Sequence, residues 1–361
     1  MSGGVDSSVT AYLLKEQGFE VEGVSFVLWE ARQRSDPAAC CSYEATDSAG
    51  KTARRLGVRH SSIDARDVFV EKVIEPFVDA YAGGTTPNPC ILCNRYVKFP
   101  LLLREAESRG AEYIATGHYA KIESRTAGGE DHEPEEGFSL KKGVDQRKDQ
   151  SYVLYILGRE ELSKLRLPLG IYRKTEVREL ARSLNLEAAD RPESQEICFI
   201  EDRNYAGFIG NLLPGVTAAG PVKDKTGRII GTHNGIHNYT LGQRKGLGIS
   251  SLEPHYVIGI DSLTNSVVVG SREDARAGEL IVSGLNWIGP QRSGPFRATV
   301  KIRSMMEDKP AVVEVNDGLA RVLFDEPQWA TAPGQSAVFY DGDAVIGGGT
   351  ILKQTCRSTA F

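Results

Sequence analysis

A chain of 361 residues with 40% hydrophobic and 25% charged residues has room for two or three domains, each with a core of its own. It contains no run of about eighteen apolar residues and no signal-peptide pattern, so no membrane partner is expected and the cytoplasm is the expected compartment. A formal net charge of −5 disfavours a protein that coats nucleic acid, and cysteines at only 40, 41, 90, 93, 198 and 356 do not make a secreted disulfide scaffold.

The chain opens on Ser2-Gly3-Gly4-Val5-Asp6-Ser7-Ser8, which runs into a helical pattern with Val5, Val9, Tyr12 and Leu13 on one face and Gly18 at its end. The glycines let backbone approach an anion, and the first N–H groups of the helix point where a phosphate would sit. Ser2, Ser7 and Ser8 add hydroxyls, and Asp6 is placed to hold magnesium beside phosphates. This stretch resembles the pyrophosphate loop of the N-type ATP pyrophosphatases, which split ATP into AMP and pyrophosphate. A second glycine-lysine stretch, Ala45 to Thr52 (ATDSAGKT), has Ala45 where a Walker A loop needs glycine, and no strand leads into it. Its Ala49, Ala53 and Leu56 continue a helical face, so Gly50-Lys51-Thr52 reads as helix surface.

Strand-like and helical runs then alternate: strand 21–28, helix 44–56, strand 58–63, helices across 67–82 and 95–108, and strand 111–117. Such alternation predicts an α/β fold with a doubly wound parallel sheet and ligands at the strands' carboxyl ends, where Gly117 and His118 fall. In that fold a hydrophobic strand precedes the first loop. Only Met1 stands before Ser2 here, so the natural chain is expected to be longer at this end. Residues 125–137 are acidic and glycine-rich and read as a mobile surface loop. A helix is expected from Ser151 through Leu157 and another over 175–184, followed by a short apolar strand ending at Ile200. Beyond residue 204 glycine and proline recur, and from Gly278 the period-2 alternation suggests a small antiparallel β-barrel. The expected domains are 1–203, a central domain 204–277 and a barrel 278–361.

Thr86-Pro87-Asn88-Pro89-Cys90-Ile91-Leu92-Cys93-Asn94 follows two glycines and precedes a helix, so two prolines fix the loop that carries the thiols. The loop taken alone fits paired small hydrophobes or half a zinc site equally well. Basic residues gather at Lys141, Lys142, Arg147 and Lys148, at Arg244 and Lys245, and at Lys301 and Arg303.

The first loop, Pro87-Asn88-Pro89, Gly117-His118-Tyr119-Ala120, Lys148-Asp149-Gln150, Ser194-Gln195-Glu196-Ile197-Cys198-Phe199, Leu241-Gly242-Gln243-Arg244-Lys245-Gly246 and Pro333-Gly334-Gln335 together resemble the bacterial tRNA-specific 2-thiouridylases, in that family's order and over nearly the whole chain. The resemblance implies replacement of the C2 oxygen of the wobble uridine by sulfur in lysine, glutamate and glutamine tRNAs, with ATP adenylating that oxygen so that AMP departs. It implies ATP contacts from Met1, Ser2, Gly3, Gly4, Val5, Asp6, Ser7, Phe26 and Gly117, with magnesium. It makes Cys198 the persulfide carrier and Cys93 the nucleophile that releases the sulfur, the persulfide arriving from a cysteine desulfurase or a relay carrier. Asn88, Pro89 and Cys90 would meet the target base. His118, Lys148, Asp149, Gln150, Arg303, Ser304 and Gln335 would meet the tRNA at its anticodon stem-loop, where a base can be splayed into a pocket.

One position departs from the better-known members, which carry aspartate where this chain has Cys90. The ordinary cysteine pKa of about 8.5, against about 3.9 for aspartate, bars a simple exchange of acid–base roles. Three thiols leave two mechanisms open: a persulfide relay between Cys198 and Cys93 with Cys90 assisting, which is the expected one, and a [4Fe–4S] cluster on all three. Two rival functions are an ATP-dependent amidoligase, which needs neither Cys93 nor Cys198, and a non-enzymatic RNA-binding module, which leaves the pyrophosphate loop without a use.

Overall fold

The computed structural model describes residues 1–29, 43–126, 136–190, 197–200, 204–249, 251 and 253–353. In the first domain, β1 (Glu22–Val27) pairs in parallel with β2 (Arg59–Asp64), and β3 (Ile114–Ala115) pairs in parallel with β6 (Leu165–Arg166). Helices Val5–Glu16, Tyr43–Leu56 and Lys174–Ser183 pack around these pairs, as the alternation predicts. Met1 lies along β1, its amino group donating to the Val24 carbonyl and its own carbonyl accepting from Ser25 Oγ.

Two helical runs carry a π-turn. Arg66–Phe69, Val70–Ile74 and Glu75–Ala82 follow one another without a break, and so do Pro89–Cys93, Asn94–Lys98 and Phe99–Arg109. In each run the middle segment is the π-turn. The second turn begins at the residue after Cys93. An i→i+5 turn inside a helix re-aims neighbouring side chains and is frequent at functional sites.

Residues 125–137 are not simply a loop. β4 (Ala120–Thr126) and β5 (Glu136–Lys142) form an antiparallel hairpin in which Arg125 faces Gly137 and Thr126 faces Glu136; residues 127–135 lie outside the described part. The hairpin forms because Ile122, Phe138 and Leu140 bring apolar surface to the core, Leu140 fully buried. The helix expected through Leu157 stops at Leu154 and closes with a turn, Leu157 N donating to Leu154 O at 3.1 Å. The strand expected up to Ile200 is also a turn, with Ile200 N donating to Ile197 O at 3.0 Å. Aromatic packing wins over strand pairing there: the Phe199 ring centroid lies 5.6 Å from Phe69, 5.3 Å from Phe77 and 5.4 Å from Phe208.

The central domain is a four-stranded sheet in the order β8 (Ile229–Asn234), β7 (Ala219–Asp224), β10 (Ser266–Gly270), β9 (Tyr256–Asp261). The last domain closes a six-stranded antiparallel barrel from β11 (Arg276–Trp287), β12 (Phe296–Lys301), β13 (Lys309–Asn316), β14 (Leu319–Trp329), β15 (Ser336–Asp341) and β16 (Ala344–Ile351), sealed by β11 against β16. Alternate residues fill it, Ala311, Val313 and Val315 of β13 among them. The first-domain hairpin extends this sheet, since Lys141 of β5 pairs with Ala344 of β16. Among the described residues no helix is long and apolar enough to cross a membrane.

Candidate active site

Gly4 begins the first helix without a side-chain cap, so its leading N–H groups are presented to whatever binds there. The loop before it folds on Ser7, whose Oγ accepts from Ser2 N at 3.1 Å and donates to Gly4 O at 3.1 Å. Gly3 takes a left-handed φ of 71° and lies so near the Ala45 carbonyl that a Cβ would come within 2.2 Å of it. The ATDSAGKT stretch is therefore a support for the loop: it lies in helix Tyr43–Leu56, Ser48 Oγ donates to Gly3 O at 3.4 Å, and Lys51 pairs with Asp47 at 2.9 Å.

Asp6 stands at the start of the helix, and its carboxylate is already met by a cation. Lys174 Nζ donates to Oδ1 at 2.6 Å and to Oδ2 at 2.7 Å, while Tyr119 Oη donates to Oδ1 at 2.7 Å. Gly117 packs on the same residue, a Cβ there falling 2.9 Å from the Asp6 carbonyl carbon. Asp6 supplies the hard oxygen that magnesium favours, and the uncapped helix start beside it suits the phosphates that would complete the ion's shell. Lys174, largely buried, is a compact cation at the same place.

The thiol loop enters its helix through Asn88, whose Oδ1 accepts from Cys90 N at 3.1 Å, with Pro89 at the first helical position. Cys90 is exposed. Cys93 is 4% exposed inside a cluster with Leu28, Phe69, Phe77, Val97 and Phe199, against which Cys198 and Phe26 also pack. The structure thus brings Cys93, Cys198 and Phe26 to one apolar cluster and leaves Cys90 at the surface one helical turn away. Among the described residues no group of three His, Cys, Asp or Glu side chains is placed to hold a metal ion. Residues 194–196 of the motif before Cys198, and Cys40, Cys41 and Cys356, lie outside the described residues.

Most of the side chains cast as RNA contacts face the protein. Asp149 is buried, its Oδ1 accepting from Gly143 N at 3.0 Å and its Oδ2 from Ser151 Oγ at 2.8 Å, with Lys301 Nζ 3.7 Å away. Gln150 is tied to Tyr119 both ways, through Oε1 and through its backbone N–H, each at 2.9 Å. Arg303 donates to Leu241 O and Ala330 O, both at 3.0 Å, its Nε has no partner among the described residues, and burial lowers its guanidinium from the ordinary value. Gln335 donates to the carbonyls of Thr86 and Pro87. The His118 ring stacks on Phe99 and meets Thr116 Oγ1 at 2.9 Å; burial, with Lys98 nearby, pushes its pKa down to about 3. Lys148 and Ser304 are half-exposed. In the basic clusters, Lys142 pairs with Asp308 at 2.7 Å and Lys141 with Glu123, while Arg244 lines an open cavity of about 590 Å³ with Glu253 and His255.

Three family models match the chain in succession: the tRNA methyl transferase HUP domain over residues 1–202, the tRNA methyl transferase PRC-barrel domain over 207–271, and the aminomethyltransferase beta-barrel domain over 277–351. A tRNA-specific 2-thiouridylase of Caldanaerobacter subterraneus subsp. tengcongensis is 48% identical over 359 residues, covering 98% of this chain and 97% of its own. The chain belongs to the tRNA-specific 2-thiouridylase family. The 2-thiouridylase of Carboxydothermus hydrogenoformans is 46% identical over 362 residues, with 98% and 96% covered, and that of Halothermothrix orenii 44% over 357, with 98% of each covered.

For this member of the 2-thiouridylase family, sequence reasoning missed Lys174, Tyr119 and Asn94 as parts of the site. Lys174 heads a helix whose only visible signal is its apolar face, and Asp6 lies 168 residues away. Asn94 Nδ2 donates to Val153 O at 3.0 Å and so anchors the turn after Cys93. Replacing Lys174 by methionine leaves Asp6 without its cation and should lower stability by about 2 kcal/mol in denaturant titrations. Pyrophosphate release from ATP should fall by about tenfold or more in the same variant.

A neutral, half-buried His118 also has a pH signature. Its folded pKa of about 3 lies below the unfolded value of about 6.5. Its contribution to stability is therefore complete above pH ~6.5 and is lost as pH falls towards ~3. Urea titrations should show a shallower acid loss in His118→Gln than in the parent protein, and the parent's His118 C2 proton should not titrate between pH ~5 and ~8.

Proposed function

We propose that the protein catalyses ATP-dependent 2-thiolation of the wobble uridine in lysine, glutamate and glutamine tRNAs. The observation that carries this reading is the placing of Cys93 and Cys198, far apart in sequence, in one apolar cluster with Phe26. An uncapped, glycine-lined helix start in the same domain suits a nucleotide's phosphates. An amidoligase makes no use of such a thiol pair.

Chemistry follows from the poor leaving ability of the uridine C2 oxygen. Attack of that oxygen on the α-phosphorus of ATP expels pyrophosphate and leaves AMP bonded through oxygen at C2. The helix start and Lys174 stabilise the negative charge that develops on the departing pyrophosphate. Asp6 would hold a magnesium ion, which neutralises phosphate charge when bound.

Sulfur arrives as a persulfide on Cys198, delivered by a persulfide-bearing protein. The Cys93 thiolate attacks the Cys198 Sγ, the Cys198 S–S bond breaks, and the terminal sulfur leaves with the electron pair as hydrosulfide. A Cys93–Cys198 disulfide remains. Hydrosulfide adds to C2, the C2–O bond breaks, and AMP departs. A thiol reductant then returns both cysteines to thiols. Burial in an apolar cluster shields the released hydrosulfide from water and from loss.

Unmodified tRNA incubated with ATP, magnesium and a persulfide donor should yield 2-thiouridine by mass spectrometry. Cys93→Ala and Cys198→Ala should each abolish it while pyrophosphate release continues, and Cys90→Asp should retain it. Thiolation that survives loss of both cysteines, or ATP turnover that ignores tRNA, would contradict the reading.

A further inference from the structure

One half-buried carboxylate, that of Asp145, is shared between two elements that meet at the nucleotide side of the site. Its Oδ1 accepts from Arg147 N at 3.1 Å, and its backbone carbonyl accepts from Lys148 N at 3.0 Å. Side chain and backbone together close a turn over residues 145–148, which presents Lys148. Its Oδ2 accepts from Lys174 N at 3.0 Å. Lys174 is the first residue of helix Lys174–Ser183, where Glu176 Oε2 also accepts from Arg173 N at 2.6 Å. A carboxylate placed there satisfies an N–H that has no partner inside the helix and meets the positive end of the helix dipole.

The loop that carries Asp145 is fixed on its other side. Val144 N donates to Gly170 O at 2.9 Å, and Gly143 packs on the Tyr119 carbonyl, where a Cβ would come within 2.8 Å of the oxygen. Asp145 is thus held on the strand end that bears Tyr119, and it holds in turn the helix start that bears Lys174. Both of those residues reach Asp6: Tyr119 Oη at 2.7 Å, and Lys174 Nζ at 2.6 and 2.7 Å. The backbone of Lys174 and its ammonium group belong to one residue, so a displaced helix start displaces the cation.

We propose that Asp145 is a positioning residue that joins the turn carrying Lys148 to the phosphate side, by fixing the helix start from which Lys174 reaches Asp6. This deepens the reading of the protein as a tRNA thiolase and rests on it, since that reading sets Lys148 against RNA and Lys174 beside the departing pyrophosphate. Asp145 acts through these two lysines and not on the reacting atoms. Without its carboxylate the Lys174 N–H loses its acceptor, the first turn of the helix frays, and Nζ stands on Asp6 for less of the time. The turn over 145–148 loses its side-chain closure in the same change.

Asp145→Ala and Asp145→Asn test this. In Asp145→Ala, kcat for pyrophosphate release from ATP with unmodified tRNA should fall about tenfold or more, at a KM for ATP within about twofold of the parent's. In a Lys174→Met background the same substitution should cost less than about twofold, because the group it positions is gone. A carboxylate that only stabilises the fold would lower both backgrounds alike. The tRNA Kd should weaken about threefold in the alanine variant, which loses the closed turn. In Asp145→Asn the side-chain carbonyl still closes the turn on Arg147 N while the amide sets a donor against the Lys174 N–H, so kcat should fall with tRNA affinity kept. Without nucleotide or RNA, acetic anhydride should acylate Lys174 at least about threefold faster in both variants than in the parent, read by peptide mass spectrometry. Equal losses in the parent and Lys174→Met backgrounds, parent-like acylation of Lys174, or parent-like tRNA affinity in the alanine variant would overturn the proposal. A parent protein that releases no pyrophosphate with tRNA would instead remove the functional reading, while the acylation rates still decide the positioning claim. Should the alanine variant fail to fold, the asparagine variant decides alone, in the same two backgrounds.

Discussion

The architecture depends on the burial of one short segment, Asp149–Leu157, between the first domain and the barrel. Asp149 is taken out of water and satisfied by Gly143 N, Ser151 N, Ser151 Oγ and the barrel's Lys301. Tyr152 Oη donates to Ser336 O at 2.8 Å, Tyr155 Oη meets Ser336 Oγ at 3.0 Å, and Ser151 Oγ meets Tyr340 Oη at 3.1 Å. Asn286 of β11 donates to the Tyr155 carbonyl at 2.7 Å. A buried carboxylate without its partners costs several kcal/mol, so the segment is stable in this form only with the barrel in place. The barrel is thus part of the first domain's core, and one hydrophobic cluster contains Leu140 and Tyr152 together with Val338, Tyr340 and Val345.

That arrangement reaches the chemistry by short paths. Val153 O receives Asn94 Nδ2 directly after Cys93, Gln150 grips Tyr119, and Tyr119 donates to Asp6. One buried segment therefore touches both halves of the site, the nucleotide loop and the thiol helix. It also takes up part of the basic side chains of a chain of net charge −5. Several basic residues that cluster in sequence are internal braces, Lys301 on Asp149, Lys142 on Asp308 and Arg303 on backbone carbonyls.

The motifs that carry chemistry were legible because each is local. Ser2–Ser8 reads as a phosphate loop from its glycines and hydroxyls, the prolines around Asn88 announce a fixed loop, and the alternation after Gly278 announces the barrel. Tertiary contacts were not legible. Nothing near Lys174 points to Asp6, and nothing near Gln335 points to Thr86, because those contacts join positions more than 160 residues apart. Hydrophobic periodicity failed where packing overrode it: Phe199 gave up a strand for its aromatic neighbours, and residues at the edges of the acidic loop joined a hairpin because Phe138 and Leu140 needed cover. A list of polar residues ordered along a chain does not say which of them face inward. Asp149 and Arg303 look like surface contacts until the barrel is docked.

The account stands on sulfur passing through Cys198 and being released by Cys93. The most direct measurement is peptide mass spectrometry on protein loaded with a persulfide donor, before and after addition of ATP and unmodified tRNA. Cys198 should carry one additional sulfur atom after loading and lose it on addition of both substrates, with Cys93 and Cys198 then joined in a disulfide. In Cys93→Ala the extra sulfur should remain on Cys198. Sulfur found on Cys93 instead, or discharge from Cys198 at the parent's rate without Cys93, would contradict the account.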